Sequence, residues 1–371
     1  MADLNPPADR AGFLRHLGAS SATCADLQDR LAALPEATVA GRVIRAERSS
    51  AEVATVAGPV RATWGEPVCT GDWVLVEVVA PLIDEAEPTA SGRAGGVGRV
   101  VYLQPRRTAF VRRSADADRP QVLAANIDET WIVVPADHPL SPSRMERTLV
   151  LAWESGADPV LVVTKADLGT PEAAAAATGV MASVGPAIPV IAVSSFTGDG
   201  MAELAGRVGP GRTAALLGSS GAGKSSLVNA LVGAAVAAVG ALRPGDGKGR
   251  HTTSWRELIV LPAGGAVIDT PGLRSIGMWV DEGGLAATFA DITDLAGSCR
   301  FTDCGHDHEP GCAVLAAIAD GSLERRRLDS YVKLGQEAAD AEQRHLIRLE
   351  DAQRRAADAV TRKIRKRDRL R

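Results

Sequence analysis

Aromatic side chains are scarce in this chain: Phe, Trp and Tyr make up only 4% of its 371 residues, with two tyrosines in all. Its cores must therefore be built mainly from Ala, Val and Leu. A dominant charge is lacking too. The 41 Lys and Arg against 45 Asp and Glu leave a net charge of -4, so nothing global points to nucleic acid and any basic surface must be local. The longest apolar run, Ala230 to Leu242, is too short to cross a bilayer and reads as a continuation of the helix that opens at Lys224. The N-terminus, Met1 to Pro7, lacks the basic-then-apolar build of a signal peptide. These absences lead us to expect a cytoplasmic protein with no membrane partner. Five cysteines cannot all pair, and three of them fall between Cys299 and Cys312. That crowding fits a metal site in a reducing compartment better than a disulfide framework.

The length calls for two or three domains. Residues 1–36 read as a helical or partly disordered lead-in with no assignable function. Residues 37–115 carry short valine-rich runs (Val39 to Ile44, Val53 to Val56, Val74 to Val79, Val100 to Leu103) between Gly, Pro and Asp turns. This is the signature of a five-stranded barrel such as an OB-fold, although any small β-barrel or sandwich would read alike. Glu85 to Gly98 reads as a mobile loop. From Ala124 the pattern changes to apolar strands alternating with helices: Trp131 to Val134, Pro159 to Val163, Val190 to Val193 and Thr213 to Leu217. A hairpin around Pro262 to Gly265 follows. Residues 116–281 are thus expected to form a doubly wound α/β domain. Residues 282–340 should hold the metal site, and 341–371 a basic helical tail.

Five motifs give the α/β segment its chemistry. Gly218-Ser219-Ser220-Gly221-Ala222-Gly223-Lys224-Ser225-Ser226 stands between a strand and a helix, as a phosphate loop requires. Its glycines let backbone N–H groups turn toward a polyphosphate, Lys224 would reach the β- and γ-phosphates, and the Ser225 hydroxyl would ligate Mg²⁺. Asp269-Thr270-Pro271-Gly272 supplies a carboxylate near that Mg²⁺ and, at Gly272, an N–H for the γ-phosphate. Thr164-Lys165-Ala166-Asp167 would choose guanine: the Asp167 carboxylate can accept from N1–H and the 2-amino group, donors that adenine lacks there. Lys165 would lay its stem along the base, and Ser194-Ser195 would meet the base oxygen through backbone N–H. In Gly249-Arg250-His251-Thr252-Thr253, either threonine is a candidate for Mg²⁺ and His251 for the attacking water. An exposed loop histidine is an equal reading of His251. Leu273 stands where many GTPases keep a water-orienting Gln, so slow intrinsic hydrolysis is expected.

The order of these motifs is rotated. A GTPase of ordinary connectivity meets its phosphate loop first and its base-reading motif late, whereas here the base-reading motif comes first. That order fits a circularly permuted GTPase domain. Past it, Cys299-x4-Cys304-x-His306-x5-Cys312 supplies three thiolates and an imidazole, a closed set for one structural Zn²⁺ per chain. His308 competes for the imidazole role, and redox sensing by the cysteines is the rival reading. Seven of the last eleven residues are Lys or Arg, which on a terminal helix suits RNA phosphates.

Together the permuted order, the barrel before it and the Cys/His module after it resemble the bacterial ribosome small subunit-dependent GTPase A family. The residues that carry the resemblance are Gly71-Asp72, Ala124 to Asp128, Gly218 to Ser226, Gly249 to Thr253, Asp269 to Gly272 and the Cys/His set through Glu309-Pro310-Gly311-Cys312. Thr164 stands where that family's motif usually has Asn, and Ser195 where Ala is commoner. The resemblance implies a monomeric GTP hydrolase stimulated by the small ribosomal subunit and acting late in its maturation, with GTP and GDP as ligands. It also implies that the barrel and metal module touch ribosomal RNA. Two other readings remain: a GTP-dependent RNA-binding switch that does not hydrolyse, and a metabolic ATPase or kinase, against which Asp167 argues.

Overall fold

The computed structural model describes residues 9–81, 96–112, 121–169, 188–233, 256–269 and 282–368, with short pieces at 179–180 and 183–184. Two helices come first, α1 (Arg10–His16) and α2 (Ser21–Leu31). The second is capped by Ser20, whose hydroxyl accepts from the Thr23 N–H at 3.1 Å. Phe13, Leu14, Leu17, Cys24 and Leu27 bury themselves against Trp73 and Leu75 of the barrel. The lead-in from residue 9 onward is therefore structural packing, a role its sequence did not announce.

The barrel is closed in the order β1 (Thr38–Ala46), β2 (Ala51–Thr55), β3 (Gly58–Thr63), β5 (Gly96–Leu103), β4 (Trp73–Pro81). β3 and β5 run parallel while the other neighbours are antiparallel, the five-stranded Greek-key arrangement of an OB-fold. Gly96 to Gly98, expected in a loop, are the first residues of β5. At Gly98 a Cβ would stand 2.6 Å from a Val76 methyl and 2.7 Å from the Glu77 carbonyl, so only glycine lets the strands close there. A hairpin that was not foreseen, β6 (Ala109–Arg112) with β7 (Gln121–Ala125), connects the barrel to the next layer.

That layer is a six-stranded sheet in the order β10 (Val190–Ala192), β9 (Asp158–Thr164), β8 (Glu129–Pro135), β11 (Thr213–Gly218), β13 (Ala266–Asp269), β12 (Glu257–Val260). All neighbours are parallel except β12, which pairs antiparallel with β13 as the expected hairpin. Helix α3 (Pro142–Glu154) joins β8 to β9, with proline in its first turn and Met145, Leu149 and Val150 buried on one face. Helix α4 (Met201–Arg207) precedes β11, and α5 (Lys224–Val232) follows it. Helix α5 ends at Val232, with Gly233 in the left-handed conformation as its cap; the rest of the apolar run, to Leu242, lies outside the described residues. The sheet core is aliphatic around one large ring: Trp131, Val160, Val162, Leu204, Leu216 and Leu227 are each fully buried. Each such Leu or Val contributes about 1.5–3 kcal/mol.

Two buried guanidinium groups fasten the layers together. Arg42 of β1 stacks on Trp73 at 4.6 Å and donates to Thr213 Oγ1 at 2.7 Å, to the Asn126 carbonyl at 3.0 Å and to the carbonyls of Gly71 and Leu17. Burial pushes its pKa down to about 9, still above neutral pH, so the barrel holds the start of β11 with a cation. At the other end the chain forms α6 (Glu282–Thr288), α7 (Ala290–Ala296), α8 (Ala313–Ala319) and the 44-residue α9 (Arg325–Asp368). Arg327 of α9 is 5% exposed. It donates to Asp291, to the Thr288 carbonyl and to the fully buried Glu146 of α3. No described helix is long and apolar enough to cross a membrane.

Candidate functional site

The strand order reverses between β8 and β11: the chain runs outward from β8 through β9 to β10, then returns to lay β11 on the other side of β8. In an open parallel sheet the crevice at such a point, beyond the carboxyl ends of the strands, is where ligands bind. Thr164 ends β9, Ser194 follows β10, Gly218 ends β11 and Asp269 ends β13. Four strands therefore deliver the separate motifs to one edge.

The phosphate loop fills the turn from β11 to α5. Gly218 passes so close to β8 that a Cβ would lie 2.4 Å from the Val133 carbonyl. Gly221 and Gly223 have φ of 78° and 89°, and Gly223 is the N-cap of α5. The positive end of a nine-residue helix thus points out of the loop. Lys224 Nζ donates to the Gly218 and Ser219 carbonyls at 2.9 and 3.0 Å, which places its ammonium over the loop. Asp269 is 8% exposed and its Oδ1 has no hydrogen-bond partner among the described residues. Burial raises its pKa while Lys224 opposes the shift. A buried carboxylate oxygen left unpaired beside Lys224 and the Ser225 position fits an oxygen-ligated Mg²⁺ with a polyphosphate.

The segment from Thr164 to Asp167 is tied directly to this loop. Thr164 is buried, and its hydroxyl donates to the Ala222 carbonyl at 2.6 Å. The residue standing where Asn is usual therefore still links the two motifs. Lys165 adopts a left-handed φ of 57° and its ammonium meets Asp137 Oδ2 at 2.9 Å. That bond, with another to His138, holds the Asp137 pKa below its ordinary value. Asp167 is exposed to the crevice, and its Oδ1 accepts from the Ser194 hydroxyl at 2.6 Å. Ser194 in turn accepts from the N–H groups of Phe196 and Thr197, and its own N–H is spent on the Asp199 carbonyl. Sequence reasoning gave Ser194 a backbone role toward the base. The geometry instead turns its hydroxyl toward Asp167 and engages its own N–H within the loop. Asp137 was missed because no motif contains it.

A second cluster lies in the loop between α7 and α8. Cys299, Cys304, His306 and Cys312 hold their ligand atoms within 4.8 Å of one another. Cys299 Sγ stands 3.9 Å from Cys312 Sγ and 3.7 Å from His306 Nδ1, which is 3.4 Å from Cys312 Sγ. A tetrahedral ion with sulfur bonds of ~2.3 Å separates its thiolates by about 3.8 Å, so these ligands are spaced for a metal rather than for a disulfide. His308, the rival imidazole, points to solvent and pairs with Asp307. Glu309, also missed, organises the turn by accepting from the N–H groups of Gly305, Asp307 and His308. Those bonds and one from its own N–H hold its pKa down to about 2. Its only sequence signal was its place beside Pro310-Gly311-Cys312.

His251, Thr252, Thr253 and Gly272, expected to complete the catalytic and Mg²⁺ side, lie outside the described residues, as does Leu273.

Comparison with known proteins agrees with this geometry. The RsgA GTPase family matches residues 103–279. The small ribosomal subunit biogenesis GTPase RsgA of Streptomyces coelicolor (strain ATCC BAA-471 / A3(2) / M145) is 47% identical over 339 residues, covering 86% of this chain and 88% of that one. Among solved structures, YjeQ from Thermotoga maritima is similar with a TM-score of 0.57 at 24% identity, over 81% of this chain and 99% of that one. YloQ, described as a circularly permuted GTPase, is similar with the same score at 23% identity, over 82% and 96% of the two chains. The fold is thus that of a circularly permuted GTPase with a barrel before it and, after it, a helical region whose Cys/His cluster could hold a metal ion, and the chain belongs to the RsgA GTPase family.

Proposed function

We propose that the protein hydrolyses GTP in step with late maturation of the small ribosomal subunit, which stimulates the reaction. The observation that carries this reading is the convergence of a base-reading carboxylate, a phosphate loop and a buried carboxylate on one sheet edge, joined by the Thr164–Ala222 bond. Asp167, held by Ser194, reads guanine; Lys165 flanks the base and Ser195 offers its N–H. The loop from Gly218 to Ser226 wraps the phosphates, with Lys224 reaching the β- and γ-phosphates. Ser225, Asp269 and one of Thr252 and Thr253 hold Mg²⁺, which neutralises charge on the transferring phosphate. Gly272 offers its N–H to the γ-phosphate, and His251 orients the attacking water once the subunit orders its loop.

The Cys299, Cys304, His306 and Cys312 set takes one structural Zn²⁺; with four protein ligands no position remains for catalysis. We assign residues 37–115 and 282–340 to ribosomal RNA contact, residues 116–281 to the nucleotide and the tail 341–371 to RNA phosphates. The protein works as a cytoplasmic monomer on the subunit. Phosphate release from GTP and from ATP, with and without small ribosomal subunits, tests the reading. Hydrolysis of GTP alone, raised by the subunit, is the expected result.

A further inference from the structure

Away from the nucleotide crevice, α3 and α9 enclose a cleft of about 220 Å³ lined by Ser143, Arg144, Arg147, Ser330, Lys333 and Leu334. Three of these six residues are cationic, two carry hydroxyls and none is acidic. Arg147 is partly neutralised by Glu337 at 2.7 Å, but Arg144 and Lys333 have no carboxylate partner among the described residues. The two hydroxyls, one on each helix, are linked by a 3.4 Å hydrogen bond, which leaves one O–H of the pair to donate to a ligand. The first turn of the 13-residue α3 opens toward the same place, and Ser141 at its N-cap makes no side-chain bond to that turn. Donors and positive charge thus come from both walls, in a protein whose net charge is -4.

We propose that this cleft is an oxyanion site for a phosphodiester of RNA, separate from the GTP site. Guanidinium forks and hydroxyls match phosphate oxygens, and Leu334 gives the sugar an apolar wall. RNA is favoured over a small free anion by what continues from the cleft. Lys333 lies near the start of α9, and the same helix runs on to the sequence's basic end, about 42 Å away at 1.5 Å per residue from Lys333 to Thr361. A polyanion of that length meets both. A strand held in the cleft would clamp the C-terminal module to α3, the helix that leads into the base-reading strand β9. The inference rests on the proposed RNA partner but not on the nucleotide assignment.

The test is the affinity of full-length protein for a labelled duplex of ribosomal RNA, measured against salt, for wild type, Arg144→Glu with Lys333→Glu, and the remote control Arg10→Glu. All three altered residues are exposed, so the fold should survive. Loss of two phosphate contacts should weaken binding at least tenfold and lower the slope of log affinity on log salt by about 1.8. Arg10→Glu should change neither, and basal GTP turnover should stay at the wild-type rate in all three. RNA affinity and salt slope equal to wild type in the double variant would overturn the proposal. So would saturable binding of inorganic phosphate, lost in the double variant while RNA binding persists, because the cleft would then serve a free anion. If subunit stimulation of GTP hydrolysis is absent in wild type while the RNA result holds, the functional reading fails and the site stands.

Discussion

The hydroxyl of Thr164 and the carbonyl of Ala222 are joined by a 2.6 Å hydrogen bond that ties the end of β9 to the phosphate loop. Both residues are buried. The two halves of the proposed nucleotide site thus have a mechanical link that does not pass through the nucleotide.

Thr164→Val keeps the shape and removes the donor, leaving the Ala222 carbonyl unpaired. The cost should be about 1–3 kcal/mol, or roughly 5- to 150-fold in GDP affinity. Titration with a fluorescent GDP analogue measures it. Thr164→Asn, which restores a donor, should bind at least as well as wild type. Equal affinity of Thr164→Val and wild type would show that the link plays no part in binding.

Asp167→Asn replaces an acceptor by an amide and should move preference from guanine toward xanthine nucleotides. Ser194→Ala should weaken GTP without changing the preferred base, because it only loosens the carboxylate it orients. Competition between GTP and XTP separates the two. A mutant at Asp167 that keeps wild-type GTP affinity removes this residue from base reading.

Purified protein should carry one zinc ion per chain by elemental analysis. Cys304→Ala or Cys312→Ala should lose it and expose the region after α7 to proteolysis. A native protein that is folded and protease-resistant without metal contradicts the assignment.

Arg327→Met leaves Glu146, which is fully buried, with Arg326 as its remaining partner. Because Arg326 still pairs with Glu146 at 2.9 Å, the cost should stay below the ~3–5 kcal/mol of a buried charge left unpaired. The denaturation midpoint should fall accordingly, and Arg327→Met combined with Glu146→Leu should recover part of the loss. An unchanged midpoint for the single variant would mean that the junction between α3 and α9 does not depend on this pair.

Much of the site could be read from the chain because its chemistry is local. A phosphate loop needs glycines, Lys224 and Ser225 at fixed spacing, and the metal set from Cys299 to Cys312 is compact in sequence. The rotated order was equally plain, since it depends only on which motif comes first. What could not be read depends on distant partners. Helices α1 and α2 have meaning only against Trp73 and Leu75, and Arg42 only against Thr213, 171 residues away. Ser194 looked like a backbone donor because its motif is defined by the loop. Its contact with Asp167 appears only when β9 and β10 lie side by side. Nor can composition show that Gly233 takes a left-handed φ of 72° and caps α5 after Val232.

The most direct measurement is phosphate release from GTP with and without small ribosomal subunits, for wild type, Lys224→Ala and His251→Ala. With Leu273 unable to orient water, the protein alone should turn over slowly, and subunits should raise the rate strongly. Lys224→Ala should be inactive in both conditions, and His251→Ala should bind GTP and subunits yet lose most of the stimulation. A wild-type rate that subunits leave unchanged, or full turnover by Lys224→Ala, would contradict the account.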